Sequence, residues 1–248
     1  MRPGEFAICG LPAVRARFRR SPESIQKLFF DFPTSKKVGI LCRTLASLRK
    51  VYRCVEAADL EKLSGSMHHG GIVAIVHDPA PASPTAQDAA SWARRGECLV
   101  ALDRIGNAHN LGAIARTAGY FGIPRILISG DPASARPGTA AYRVAEGGLE
   151  ALEVRITEDL AQFLGILSAA GFEVVGAAAR GGRHEAPVRS PWALVLGNEE
   201  EGLSPAVAAA CTRLVTIAGS GKVESLNVSA AAAVLIHGLA HSSSKKTR

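Results

Sequence analysis

The stretch R-L-V-T-I-A-G-S-G-K-V-E-S-L-N-V-S-A-A-A-A-V-L-I-H-G-L, from Arg213 to Leu239, decides how the chain is read. Leu214–Ile217 is an apolar run of strand length, Gly219 and Gly221 punctuate the loop that follows, and Ser225 or Asn227 opens an alanine-rich helix. Two glycines in three residues mark backbone that turns sharply or lies against another segment. The small side chains from Ser229 to Ala233 allow that helix to pack closely. Strand, glycine loop and capped helix form the ordinary unit of an α/β protein, and most such units are scaffold, so this stretch alone favours scaffold over a ligand site.

Working outward, the stretch before it is A-L-V-L-G-N-E-E-E-G-L-S, Ala193 to Ser204. A nearly all-apolar strand, Trp192–Leu196, runs into an acidic, glycine-bounded loop. In a parallel sheet, ligands are held at the carboxyl ends of strands, which is where this loop begins. Further back is N-A-H-N-L-G-A-I-A-R-T-A, Asn107 to Ala118. Its helix is expected over Leu111–Phe121 with Asn110 as the N-cap. The helical neighbours of Arg116 at i−4, i−3 and i+3 are Gly112, Ala113 and Gly119, so its guanidinium rises from a face of little bulk that backbone or substrate could approach. Between and around these stretches, strands are expected at Cys98–Leu102, Arg125–Ile128, Leu152–Arg155 and Glu173–Ala177. Helices are expected at Ala140–Glu146, Glu158–Ala170 (capped by Thr157) and Pro205–Cys211. The alternation predicts a mostly parallel sheet with helices on both faces. General topological rules lead to an unknotted, Rossmann-like arrangement.

The first 80 residues read as a separate small α/β unit. Strands are expected at Phe6–Cys9, Val51–Val55 and Ile72–Val76, and helices at Leu11–Phe18, Ser35–Lys50 and Ala57–Leu63. Ser21-Pro22-Glu23 resembles a helix start, which predicts a further helix over Glu23–Phe30. Asp78–Ser91, with P-A-P-A-S-P-T-A-Q, reads as an extended, stiff linker. The domains so drawn are 1–80, a linker 81–95, a larger unit 96–241 and a basic, disordered tail 242–248, S-S-S-K-K-T-R.

Charge is uneven. The 248 residues carry a formal +7, and from Met1 to Arg53 there are twelve basic residues against Glu5, Glu23 and Asp31. So lopsided a segment favours a phosphate backbone as partner. Five cysteines without C-x-x-C pairing argue against a zinc site or a disulfide framework and for a reducing, cytoplasmic setting. No apolar run reaches the roughly 18 residues of a membrane span, and the first residues lack signal-peptide form.

Taken in order, the three stretches resemble the signature motifs of the SpoU (TrmH-like) family of RNA methyltransferases, over roughly Glu97 to His241. Asn110 and Arg116 match N-x-G-x-I-x-R; Gly197, Glu199 and Gly202 match G-x-E-x-x-G, with Glu200 and Glu201 as bystanders. Ile217, Gly221, Ser225, Leu226, Asn227, Val228 and Ser229 match I-P-x-x-G-x-x-x-S-L-N-V-S, with Ala218 where the family usually has proline. The resemblance implies a deep trefoil knot near the C-terminus, a ribosomal-protein-like RNA-binding module at the N-terminus and a homodimer whose active site is completed across the interface. It implies S-adenosylmethionine held by Leu196, Gly197, Asn198, Gly202, Ile217, Ala218, Gly219 and Leu226, and no metal. The reaction implied is methyl transfer to a ribose 2′-hydroxyl of tRNA or rRNA, with Arg116, Asn110, Glu199, Ser225 and Asn227 as the catalytic set. Arg116 would act as electrostatic stabiliser and phosphate clamp, because guanidinium does not readily give up a proton. Glu199 could pair with either Arg116 or Asn110. The resemblance places His68–Gly71 at a domain edge and matches the Glu146-Gly147-Gly148 turn to a small-residue turn near substrate. A catalytically silent RNA-binding protein and a knotted enzyme acting on a base nitrogen are the competing readings.

Overall fold

The computed structural model describes residues 4–182 and 188–244. Two sheets organise them. The smaller has the order β1-β4-β2-β3, with β1 at Glu5–Cys9, β2 at Ile25–Phe30, β3 at Val51–Cys54 and β4 at Ile72–His77. β4 runs antiparallel to both β1 and β2, and β3 joins β2 in parallel at the edge. The larger sheet has the order β10-β8-β9-β5-β6-β7, and every pairing in it is parallel. Its strands are β5 Leu99–Leu102, β6 Arg125–Ser129, β7 Glu153–Thr157, β8 Glu173–Ala177, β9 Trp192–Leu196 and β10 Arg213–Val215.

Strand side chains alternate between two cores, as the pleat requires. Val100, Leu102, Ile126, Ile128, Leu194 and Leu196 face helices α6 (Ala108–Tyr120), α7 (Thr139–Ala145) and α10 (Val228–Ser244). Leu99, Ala101, Leu127, Ala193 and Val195 face α5 (Ala86–Arg94), α8 (Leu160–Ala169) and α9 (Pro205–Ala210). The first of these cores continues without a break into the smaller sheet through Ile8, Val14, Ile25, Leu28 and Leu45. Helices α1 (Leu11–Arg20), α2 (Phe32–Ser35) and α3 (Gly39–Ser47) belong to that unit, with α4 (Ala57–Ser64) on its other face. Phe6 of β1 stacks on Tyr142 of α7 at 4.7 Å, so the two sheets are packed together rather than merely tethered.

Several local expectations give way to tertiary context. Glu23–Phe30 is no helix: after a 3-10 turn at Pro22–Ser24 the chain becomes β2, the strand flanked by β4 and β3. Ile25 and Leu28 both face inward at the i, i+3 spacing of a helix; two flanking strand partners nonetheless make the segment a strand, which accommodates that spacing through a register shift between Ile25 and Lys27. The stretch expected to be an extended linker, 81–95, holds α5. Thr85 and Asp88 close a reciprocal capping box, and Ala89 and Trp92 bury one face of the helix. The helix expected over Ser35–Lys50 is shorter, α3 at Gly39–Ser47, and Ser35 ends the separate short helix α2. Asp159, not Thr157, caps α8 by accepting from Gln162 N. Helix α10 runs to Ser244, into the stretch 242–248 expected to be disordered; 245–248 lie outside the described residues. No helix among the described residues is long and apolar enough to cross a membrane.

The cationic N-terminal segment is not wholly a solvent face. Arg17 is buried against Asp78 and Glu150. Arg20 donates to the carbonyls of Leu149 and Glu150. Arg15, Arg19, Lys27, Lys36, Lys37, Arg43, Arg49 and Arg53 remain exposed.

Candidate active site

Strands β8, β9 and β10 end together, at Ala177, Leu196 and Val215, and the loops leaving them line a cavity of about 1000 Å³. From β5 the sheet is built outward through β6 and β7, after which the chain crosses to β8 on the other side. The cavity lies over the three adjacent strands β10, β8 and β9, beside and not at β5, where the strand order reverses.

The loop Gly197–Gly202 forms one wall. Asn198 and Gly202 exchange two backbone hydrogen bonds, each 2.9 Å, and Gly202 takes φ 72. The loop closes so tightly that a Cβ on buried Gly197 would coincide with the backbone of Gly202 and Leu203. Asn198 holds its interior: Oδ1 accepts from Glu200 N and Glu201 N at 3.0 and 3.1 Å, and Nδ2 donates to Arg104 O at 2.9 Å. Arg104 answers with an ion pair to Glu201, which raises its guanidinium above the usual value. The buried Asp103 accepts from Ser204 N at 2.6 Å. Glu201 is therefore not a bystander; Glu200 donates its backbone N–H to Asn198 and lines the cavity.

Helix α6 brings the first motif to this wall. Asn107 caps it, accepting from His109 N at 2.8 Å, so Asn110 is not the cap but lies one turn inside, buried. Freed from capping, Asn110 Nδ2 donates to Glu199 Oε1 at 2.8 Å, and its Oδ1 accepts from Asn227 Nδ2 at 3.2 Å. Asn227 in turn caps α10 by accepting from Ser229 N at 2.9 Å. One side chain thus ties the three motifs together. Of the two partners the sequence leaves open for Glu199, the structure selects Asn110.

Leu196, Gly197, Asn198, Gly202, Ile217, Ala218, Gly219 and Leu226 all line the cavity, and so do Glu199, Ser225 and Asn227. Arg116 does not. It is exposed on α6, with Nη2 3.0 Å from Glu146 Oε2. The small-residue face around it is already filled from within the chain. A Cβ on Gly112 would meet Ala141 O at 2.5 Å, and Gly148 lies so close to α6 that its Cβ would meet Arg116 Cα at 2.6 Å.

Sequence reading overlooked Asp103, Arg104, Thr216 and the loop after β8. Thr216 Oγ1 accepts from Gly182 N at 2.9 Å, and Ala177–Gly181 line the cavity opposite Gly197. The run A-A-A-R-G-G was the available signal, since small residues after a strand permit close approach. Among the described residues no three His, Cys, Asp or Glu side chains gather in a way that could hold a metal ion.

A parallel sheet covered on both faces, with a roomy crevice at its strand ends and small, backbone-rich loops around it, defines an α/β protein built to hold a ligand there. Residues 97–237 match the SpoU rRNA Methylase family, and residues 7–82 match the RNA 2′-O ribose methyltransferase substrate binding family. The chain belongs to the SpoU rRNA methylase family and is a methyltransferase of that family. The uncharacterized tRNA/rRNA methyltransferase YfiF of Escherichia coli O157:H7 is 32% identical over 237 residues, covering 95% of this chain and 68% of that protein. The 23S rRNA (guanosine-2′-O-)-methyltransferase RlmB of Nitrosomonas europaea is 31% identical over 241 residues, 92% of this chain and 88% of that one. Among solved structures, AviRb of Streptomyces viridochromogenes in complex with AdoMet superposes with a TM-score of 0.75 at 23% identity, covering 97% of this chain and 91% of that one. The AdoMet-bound rRNA methyltransferase of Sinorhizobium meliloti gives 0.78 at 22%, covering 96% and 88%. At these identities the likeness to the two structures is one of fold.

Proposed function

We propose that the chain transfers a methyl group to a ribose 2′-hydroxyl of ribosomal or transfer RNA, using S-adenosylmethionine. The observation that carries this is the convergence of the three motifs on one crevice, with Asn110 bonded to both Glu199 and Asn227 beside it. The lining fits the cofactor. Leu196, Val215, Ile217 and Leu226 offer apolar surface for a base and ribose, and the small residues Ala179, Ala218 and Gly219 bring the lining close to backbone, whose N–H and C=O groups suit its polar edges. Bound there, the cofactor supplies an electrophilic methyl group on a sulfonium.

A hydroxyl is a weak nucleophile, so the chain's part is alignment and stabilisation of the oxygen as charge develops. Arg116 is the cation for that task, with Asn110, Glu199, Ser225 and Asn227 ordering the loop edges near the reacting groups. Arg116 stands outside the cavity of its own chain, while Tyr120, one helical turn beyond it, is 84% exposed and Val234 of α10 is 50% exposed. Uncovered apolar surface beside a cation that lies outside its own chain's cavity supports a homodimer in which one copy's Arg116 serves its partner's cavity. The 7–82 match and the exposed cations of that unit support RNA as the bound polymer, and the RlmB relatives favour ribosomal RNA. The C-terminal segment, in this reading, is threaded as the trefoil knot of the family.

The test is transfer of radiolabelled methyl from S-adenosylmethionine to unmodified rRNA and tRNA by wild type and Arg116→Ala, with nuclease digestion of the product. Label in a 2′-O-methyl nucleoside, reduced about 10²–10³-fold in the variant, is expected on the scale of a lost oxyanion donor. Cofactor binding without transfer to any RNA would favour a silent RNA-binding protein instead, and label on a base nitrogen would refute the ribose assignment.

A further inference from the structure

The turn Glu146–Gly148 has no part in the cavity, yet three observations meet there. Glu146 ends α7 in the left-handed region, φ 45 and ψ 41, a conformation that glycine adopts freely and a residue with a side chain does not. Its carboxylate lies 3.0 Å from Arg116 Nη2, in a pair whose side chains are 54% and 56% exposed. Pairs so exposed contribute little stability, so the contact does not offset the backbone strain, and a fold selected for stability alone would place glycine here. The turn is also gripped from both sides. A Cβ on Gly147 would stand 3.3 Å from the Ala16 side chain of α1, and Arg20 of α1 donates to the carbonyls of Leu149 and Glu150 just beyond it. On the far side Gly148 rests on the Arg116 backbone.

We infer that Glu146 is a positioning residue for Arg116. It anchors one edge of the guanidinium, so that the remaining N–H groups point in a set direction before substrate arrives. Arginine is long and rich in rotamers, and a planar donor fork is effective only when its orientation is held. The support comes from outside the catalytic unit: α1 belongs to the N-terminal sheet, and its hold on the turn makes the direction of Arg116 depend on the seating of that unit. This inference rests on the role proposed above for Arg116 and goes beyond it by naming what aims the side chain.

The deciding variant is Glu146→Gly, which removes the carboxylate while keeping a residue suited to the left-handed backbone; Glu146→Gln retains an acceptor without charge. Both are compared with wild type and Arg116→Ala on the full chain. The readouts are kcat and KM with labelled S-adenosylmethionine and in vitro transcribed 16S rRNA, 23S rRNA and tRNA, equilibrium binding of the same transcripts, and Tm. For Glu146→Gly, kcat falls by about 10–100-fold, as for a catalytic group left loosely held. Its Tm is unchanged or raised, and cofactor KM and RNA affinity stay within about 3-fold of wild type; Glu146→Gln recovers most of the lost rate. A merely structural residue would not give a variant that is at once as stable and slower. Wild-type kcat in Glu146→Gly, with Arg116→Ala inactive, overturns the inference and leaves the site reading intact. Full activity in Arg116→Ala overturns both. RNA binding tightened more than about 10-fold at unchanged kcat would make Glu146 a shield over Arg116 and overturn the positioning role.

Discussion

Glu150 sits just beyond that turn with its side chain 1% exposed, and neither carboxylate oxygen has a hydrogen-bond partner. Arg17 Nε approaches to 3.7 Å, too far for a hydrogen bond, because the Arg17 fork is spent on Asp78 at 2.7 Å and the Tyr142 hydroxyl at 2.9 Å. Burial therefore outweighs the neighbouring cations Arg17 and Arg20, Asp78 pushes the same way as burial, and the Glu150 carboxyl is raised from 4.5 to about 7. Tyr142, also buried, is held above its ordinary value. The folded chain thus binds the Glu150 proton more tightly than the unfolded chain. The associated stability is complete below the unfolded value near 4.5 and is lost as pH rises through about 7. At 1.36 kcal/mol per pH unit, the displacement amounts to about 3 kcal/mol, or about 6–12 °C in Tm for a chain of this size. Glu150→Gln mimics the protonated carboxyl. It should match wild type at pH 5 and melt higher at pH 8, flattening that part of the Tm–pH curve, as followed by circular dichroism from pH 4.5 to 8.5. A Glu150→Gln curve that parallels wild type across this range, or lies below it at pH 8, would refute the reasoning.

Three further outcomes are expected. Gly197→Ala forces a Cβ into the backbone of Gly202 and Leu203, so the variant should lose about 2–4 kcal/mol in denaturant unfolding and bind S-adenosylmethionine at least tenfold more weakly by calorimetry. Gly148→Ala drives α7 and its turn away from the Arg116 backbone; a loss of about 1–3 kcal/mol should accompany slower methyl transfer, and unchanged activity would show that the close approach is dispensable. Asn110→Ala leaves Glu199 Oε1 and Asn227 Nδ2 without their partner, which should cost about 1–3 kcal/mol, and the loss should shrink sharply when measured in a Glu199→Ala background, since the two side chains share one bond.

Local chemistry carried far in this chain. Apolar runs of strand length ended in glycine, small-residue helices followed them, and the three motifs stood in order; from these the parallel sheet, its two covered faces and the loops that gather at one crevice could be read directly. Such signals depend on neighbours a few residues apart. Where they misled, a distant partner had intervened. I-Q-K-L-F-F became β2 because β3 and β4 flank it, and Arg17 left the solvent face for a buried cluster with Tyr142; Asn110, whose place as cap is taken by Asn107, turns instead to Glu199. The T-A-Q-D capping box was legible and was hidden only by the prolines before it.

By itself the sequence determined most of the element types in the larger unit, the family resemblance and the two loops, Gly197–Gly202 and Ile217–Asn227, that line the crevice, because period and motif spacing are written in adjacent positions. Only the tertiary structure decided that Asn110 links Glu199 to Asn227, that Arg104 braces the acidic loop, and that Glu146 reaches Arg116 from a turn held by the N-terminal unit. Nor could the order of the six parallel strands be read before it. The physical reason is range: most of these contacts join residues about ninety or more positions apart, and nothing in the local pattern records which distant polar group satisfies a buried one until the chain has closed around both.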